Sequence, residues 1–351
     1  MAKRKLLFIC FACVGVIFLS FIIKNTKISL DKDSKYKVDI PKIMRVAHIK
    51  NVDAKSFYKD INVNRQPVPE ITSEEVLVYV KSATFTQRDY DFFVHNGEKK
   101  DFVPCSDFSG IVVKVGDNVK DYEIGDKVFG IADLSNNKGA CADYVAVTRN
   151  NIYKMPYSLS FKQASAIPTP ALLDWFALHN LQKQGLKKGT ILVDDAISEV
   201  GIMLIGLLSR DGFDVTAVDD ENVKKIITNT DAKQFISNAE FLDKRDELYQ
   251  KYDIVINLRH GLPIKELIKL VKPKGTFISY EQTKENRDDI RMFIIDNRLI
   301  ETRIFSEIAH LVHLGKLKVK IADEFDLENI RDAYMKSLKG NINGKVVVNI
   351  N

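Results

Sequence analysis

Four short apolar runs recur in the second half of the chain: ILV (Ile191–Val193), FDVTAV (Phe213–Val218), YDIVINL (Tyr252–Leu258) and GTFISY (Gly275–Tyr280), with helical stretches between them. Strands that alternate with helices form a parallel sheet covered on both faces, because each parallel connection needs a crossover long enough to hold a helix. Before about Pro156 the pattern is different. EVLVYVKSATF (Glu75–Phe85), GIVVKVG (Gly110–Gly116), DKVFGIA (Asp126–Ala132) and ADYVAV (Ala142–Val147) are strand-like runs separated by glycines and Asp-rich turns. That pattern predicts an antiparallel, barrel-like domain. The tail KVVVNI (Lys345–Ile350) reads as one more strand. A β-rich first part, an alternating second part and a lone last strand fit a barrel into which an α/β domain is inserted.

The N-terminus follows neither pattern. Leu6 to Ile23, LLFICFACVGVIFLSFII, holds no charged residue. As a helix rising roughly 1.5 Å per residue it would span about 27 Å, close to a bilayer's hydrocarbon core. The run is apolar on every face, and no small-x-small cleavage site follows it, so a single-pass anchor is expected; a signal peptide and a core helix are the alternatives. Basic residues are nearly balanced, with Lys3, Arg4 and Lys5 before the run and Lys24, Lys27, Lys32, Lys35 and Lys37 after it. The side of the membrane is therefore undetermined. Lys24 to about Lys42 reads as a tether.

At 351 residues, 45% hydrophobic and 28% charged, the chain has room for two globular domains. Its net charge of +5 is small for that length and its charges are mixed, so nucleic acid is not an expected partner. Cys105 and Cys141 are the only thiols in the globular part, and their spacing suggests neither a disulfide framework nor a zinc cluster. The Asp-x-x-Gly at Asp107–Gly110 and the Gly-Asp at Gly125–Asp126 are expected to supply turns between strands.

An ordered set of motifs carries a resemblance. DFSGIVVKVGDNVKDYEIGDKVFG (Asp107–Gly130), GACADYVAV (Gly139–Val147), MPYSLSFKQASAIPTPALLDWFAL (Met155–Leu178), LKKGTILV (Leu186–Val193), VKPKGTFIS (Val271–Ser279) and GKVVVNI (Gly344–Ile350) follow one another in this order. From about Met44 onward the chain resembles the zinc-free, quinone-oxidoreductase-like branch of the medium-chain dehydrogenase/reductase superfamily. The resemblance implies a GroES-like barrel domain over 44–156 and 306–351 and a Rossmann domain over 157–305; the anchor at 1–23 and the tether at 24–43, read from the residues alone, precede them. The cofactor, NAD(P)H if any, would lie in the cleft between the domains, with a small carbonyl or quinone as ligand; a homodimer is left open. Zinc is not expected. Where zinc-dependent relatives carry a His-Glu pair this chain has Ser106 and Asp107, it has no Cys-rich lobe, and its six His are scattered.

The phosphate-binding turn departs from the family pattern A/G-x-x-G-x-x-G, whose positions fall on Asp195, Ser198 and Gly201. Gly201 keeps the glycine needed for close helix packing. Asp195 and Glu199 bring negative charge to a helix start that should receive a pyrophosphate. At about 5 Å and an effective dielectric near 20, each such contact would cost roughly 3 kcal/mol. Leu173 stands where the family has a Thr near the nicotinamide, and Thr86 or a neighbour stands where it has an Asn. Asp219 or Asp220, after the second strand, would bind a ribose diol and repel a 2′-phosphate, tilting any preference to NAD. Arg88 and Tyr90 are candidates for lining the cleft. The degraded turn favours a membrane-anchored binding or scaffold protein with weak or absent redox activity. The alternative is an active zinc-free NAD(P)H-dependent reductase of a quinone or enone.

Overall fold

The computed structural model describes residues 28–29, 37–50, 61–86, 88–90, 92, 101–134, 138–258, 261–295, 302–315, 317, 319–338, 342 and 344–351. Leu6–Ile23 lies outside them, so the expected anchor does too. Among the described residues no helix is long and apolar enough to cross a membrane.

The strands are β1 (Ile28–Ser29), β2 (Lys37–Val38), β3 (Ile43–Lys50), β4 (Ile61–Pro67), β5 (Glu75–Thr84), β6 (Asp101–Phe102), β7 (Asp107–Val115), β8 (Lys127–Ile131), β9 (Tyr144–Thr148) and β10 (Ile152–Lys154). Then come β11 (Thr190–Asp194), β12 (Asp214–Asp219), β13 (Gln234–Ser237), β14 (Tyr252–Asn257), β15 (Val271–Ser279), β16 (Arg291–Ile294), β17 (Ile321–Asp326) and β18 (Lys345–Asn349). One sheet runs β10-β8-β7-β5-β18-β17, with β9 also paired to β5, and a smaller one runs β4-β3-β6. A bridge from Val46 to Ala142 connects β3 to the segment before β9. The last strand, β18, returns to pair antiparallel with β5, which places the C-terminus in the barrel.

The inserted sheet runs β13-β12-β11-β14-β15-β16, and every pair in it is parallel. Counted from β11 this is the order 3-2-1-4-5-6 of a dinucleotide-binding doubly wound sheet. Alternation along its strands explains why both faces are dry. Ile191, Val193, Val215, Ala217, Ile254, Ile256 and Ile278 point to one core cluster, and Leu192, Val218, Val255 and Phe277 to another.

The helix Glu199–Arg210 follows β11. Ser198 caps it: its Oγ accepts the Gly201 N–H at 3.0 Å, with Glu199 in the first turn and Arg210 in the last. Gly201 sits against the preceding turn, where a Cβ would lie 2.6 Å from the Ala196 carbonyl oxygen and 2.8 Å from that of Asp195. The packing role read from the sequence therefore has a steric basis.

Two expectations are corrected. Asp107–Gly110 is not a turn but the start of β7; the Asp107 carboxylate reaches across to Thr169 instead of folding back on its own backbone. Gly125, with φ of 96°, does form a turn before β8. Cys105 and Cys141 form a disulfide with their Cα atoms 5.3 Å apart. Their 36-residue separation gave no sign of this, because β7 and β8 fold between them and return Ala140 to Cys105, whose carbonyl accepts the Ala140 N–H at 2.8 Å.

Candidate active site

A cavity of about 520 Å3 lies between the barrel and the parallel sheet. Its wall includes Thr86, Arg88, Tyr90, Leu173, Asp195, Ser198, Glu199 and Asp219, which sequence reasoning had singled out. Gly201 packs behind the wall. Asp194, which opens the phosphate turn, lines the same space, as do Phe85, Thr169, Tyr280, Tyr334 and Lys345, which no sequence pattern marks.

Lys345 is the consequential addition. It opens β18, is nearly fully buried, donates from Nζ to the Phe85 carbonyl at 2.8 Å, and forms an ion pair with Glu199. The pair joins the barrel's last strand to the first turn of the Rossmann helix. No local signal in GKVVVNI announces this contact, since Glu199 and Lys345 meet only through the insertion of one domain into the other. Deeper in, buried Asp107 accepts the Thr169 N–H at 2.8 Å and its hydroxyl at 2.6 Å. Burial raises its carboxyl to about 7, against the nearby Lys345 charge and the Thr169 hydrogen bonds. Asp174, buried beside Glu199 and Tyr280, is pushed well up by burial first and by the Glu199 charge second. Its two oxygens have no hydrogen-bond partner among the described residues.

At the phosphate turn, Asp195 holds a left-handed backbone, φ 62°, at a position where the family pattern has Gly or Ala. Burial lifts its carboxyl to about 9, and the charges of Asp219, Asp194 and Glu199 add to the lift. Asp194 is lifted to about 7, by burial first and by the Asp219 charge, against a hydrogen bond from the Leu262 N–H. Asp219 is also raised by burial; its Oδ2 accepts the Ile197 N–H at 2.8 Å and its Oδ1 the Asp220 N–H at 2.7 Å.

The residue types alone set two negative charges, Asp195 and Glu199, against a phosphate. In the folded protein Asp195 holds its proton at neutral pH, and Glu199 faces Lys345. The turn therefore fits a dinucleotide's phosphates better than its residue types suggest.

On the barrel side, the segment that lines the cavity is built on Asp89. Its buried carboxylate accepts from the N–H groups of Thr86 (2.9 Å), Cys105 (2.7 Å) and Ser106 (3.2 Å), and from the Ser106 hydroxyl at 2.9 Å. The Thr86 and Ser106 hydroxyls lie 2.6 Å apart. Arg88 and Tyr90 flank Asp89 in a helical segment that follows Thr86. Leu173 gives the same cavity an apolar surface where the family has a hydroxyl, and its carbonyl accepts from the Tyr280 hydroxyl at 2.8 Å. Among the described residues no group of three or more His, Cys, Asp or Glu is arranged to hold a metal ion.

A six-stranded parallel sheet inserted in a barrel, with a cleft at its first strand-to-helix turn, defines a dehydrogenase/reductase-type fold. Comparison with known proteins identifies the family. Residues 72–157 match the alcohol dehydrogenase GroES-like domain, and residues 223–348 match a zinc-binding dehydrogenase domain. Chloroplastic quinone-oxidoreductase QR1 of Triphysaria versicolor is 26% identical over 306 residues, covering 80% of this chain and 92% of its own. The mitochondrial NAD(P)H oxidoreductase RTN4IP1 of Dictyostelium discoideum is 24% identical over 337 residues, covering 81% and 93%. The structure of a quinone oxidoreductase from Coxiella burnetii, 24% identical, superposes with a TM-score of 0.77 over 88% of this chain and all of that one. The chain belongs to the medium-chain dehydrogenase/reductase superfamily, in its quinone-oxidoreductase-like branch.

Proposed function

We propose that the chain is a zinc-free NAD(P)H-dependent oxidoreductase that reduces a small quinone or enone in the interdomain cleft. The observation that carries this reading is the Lys345–Glu199 pair, which cancels the charge that would repel a phosphate at the start of the Rossmann helix. The neutral form of Asp195 removes the second repulsion. Relatives named as quinone oxidoreductases support the substrate class.

When bound, the nicotinamide would supply the hydride. The turn Asp194–Ser198 and Lys345 would hold the pyrophosphate, and Asp219 the ribose diol, favouring NADH over NADPH. Leu173, Phe85 and Tyr334 keep the inner cleft apolar and restrict water. Arg88 and Tyr90 are the polar side chains we assign to the carbonyl of the substrate, on a helical segment fixed by Asp89. Leu6–Ile23 would tether the enzyme to a bilayer, where an apolar quinone partitions.

One observation favours the other reading, a redox-silent binding module. Asp219 already occupies the Ile197 N–H, a turn amide that could otherwise face a phosphate. Titration of the full chain in detergent with NADH and NADPH, followed by cofactor fluorescence, separates the two. Saturable micromolar binding with quinone-dependent oxidation supports the enzyme. Absence of binding, or binding with no turnover on any quinone or enone, supports the binding module.

A further inference from the structure

Asp194 closes β11 at the foot of the phosphate turn, and no part of it reaches solvent. Its Oδ2 accepts the Leu262 N–H at 2.9 Å. Gly261 packs so closely that a Cβ there would overlap the carboxyl group, which fixes its position. Its Oδ1 is buried with no hydrogen-bond partner among the described residues, although Asp194 lines the cavity. An ionised oxygen left in that state is expensive, whereas a carboxylic acid there is a donor without an acceptor.

The surroundings decide which acceptor fits. Asp195 adjoins it, Asp219 and Asp220 face the cavity from the end of β12, and Glu199 faces it from the helix. The cations on the wall are Lys345, paired with Glu199, and Arg88 on the barrel side; Asn238 and Tyr280 are the neutral polar neighbours. A ligand oxygen at this place meets the N-terminus of a twelve-residue helix, which favours an anion.

We propose that Asp194 enters the dinucleotide complex as a neutral acid and donates a hydrogen bond from Oδ1 to a phosphate oxygen, so that cofactor binding takes up protons. This rests on the reading of the cleft as a dinucleotide site. An acid-to-phosphate bond is charge-assisted and short, and it turns the residue that would repel the ligand into one that recognises it.

The sign of the linkage follows from burial. Without ligand, Asp194 loses its proton as pH rises through about 7, and Asp195 loses its own through about 9. A phosphate raises both values further, so the complex holds more protons than the free protein. Affinity is therefore greatest below the free values and falls as pH rises, with a limiting slope of about tenfold per pH unit for each proton taken up.

The test is calorimetric titration of the full chain in detergent with NADH, at about pH 6.5 and about pH 8.5, in two buffers of different ionisation enthalpy. The expected result is binding roughly tenfold or more weaker at the higher pH, with uptake near one proton. Asp194→Asn keeps an oxygen for the Leu262 N–H and offers an amide N–H to the cavity. It should retain at high pH most of the affinity that the unmodified chain has at low pH, and the proton uptake should fall to the small fraction that Asp195 contributes at about pH 8.5. Asp195→Asn, which leaves Asp194 in place, should keep the uptake near neutral pH, and it serves if Asp194→Asn does not fold. NADH binding that is independent of pH and exchanges no proton would overturn this inference and leave the enzyme reading standing. Proton uptake unchanged in Asp194→Asn would overturn the assignment to Asp194. No NADH binding at either pH, by the unmodified chain or by the variants, would overturn both.

Discussion

Replacing Lys345 by methionine should destabilise the chain and, more tellingly, couple to Glu199. Lys345 has 5% of its side chain exposed and Glu199 has 26%. Removing one member of a buried pair leaves the other charge uncompensated, at a cost of about 3–5 kcal/mol when both are fully buried. Partial exposure of Glu199 reduces this, and the lost hydrogen bond to the Phe85 carbonyl adds to it. We expect about 3 kcal/mol for Lys345→Met. Glu199→Gln leaves Lys345 its bond to Phe85 and its attraction to Asp107, so about 2 kcal/mol is expected. If the two side chains act as one unit, the double variant should lose about 3 kcal/mol and not about 5, a coupling near 2 kcal/mol. Urea unfolding of the full chain and the three variants, followed by circular dichroism and by Trp175 fluorescence, gives the cycle. A coupling below about 0.5 kcal/mol would refute the reasoning, because the pair would then be screened by solvent and could not neutralise the helix start.

Stability should fall as pH rises from about 4 to about 9, most steeply below about 7, where all three buried acids contribute. Asp107, Asp194 and Asp195 have folded values of about 7, about 7 and about 9, above the ordinary Asp value, so the fold holds protons that the unfolded chain releases. Their stabilisation is complete below the unfolded value and is lost through the folded ones, at most about 1.4 kcal/mol per pH unit for each acid. Thermal melts of Asp195→Asn should show a flatter profile above pH 7, and an unchanged slope would contradict the assignment. Reduction of Cys105–Cys141 should lower stability by about 3–4 kcal/mol, the value for a loop of this length; a melting temperature unaffected by reductant, or free thiols found by mass mapping under denaturing conditions, would contradict it. Alkaline carbonate extraction should leave the intact chain in the membrane pellet; recovery in the supernatant would rule out Leu6–Ile23 as an anchor.

The strands with clear apolar alternation were legible: β5, β7, β8, β9, β11, β12, β14, β15 and β18 all fall on runs picked out by composition. Less visible were β13 (QFIS), β16 (RMFI) and β17 (IADEFD), short or acidic strands at or near sheet edges, where one side is open and the hydrophobic pattern is weak. The phosphate turn could be located because its strand-turn-helix pattern is local. Its charge state could not. Glu199 is neutralised by a residue 146 positions away (345 − 199), and Asp195 by burial, and neither is a property of the turn's own sequence. Cys105 and Cys141 were misread for the same reason: partners that meet through the barrel's closure leave no mark in linear spacing.

The central claim is that this cleft binds a reduced dinucleotide and passes its hydride to a quinone or enone. The direct test is the oxidation of NADH by the purified full chain in detergent, followed by loss of cofactor absorbance with and without a small quinone. The account predicts saturable, quinone-dependent oxidation, faster with NADH than with NADPH at subsaturating cofactor, and strongly reduced in Lys345→Met. No oxidation above background with either cofactor, across quinones and enones and down to pH 6, would contradict it.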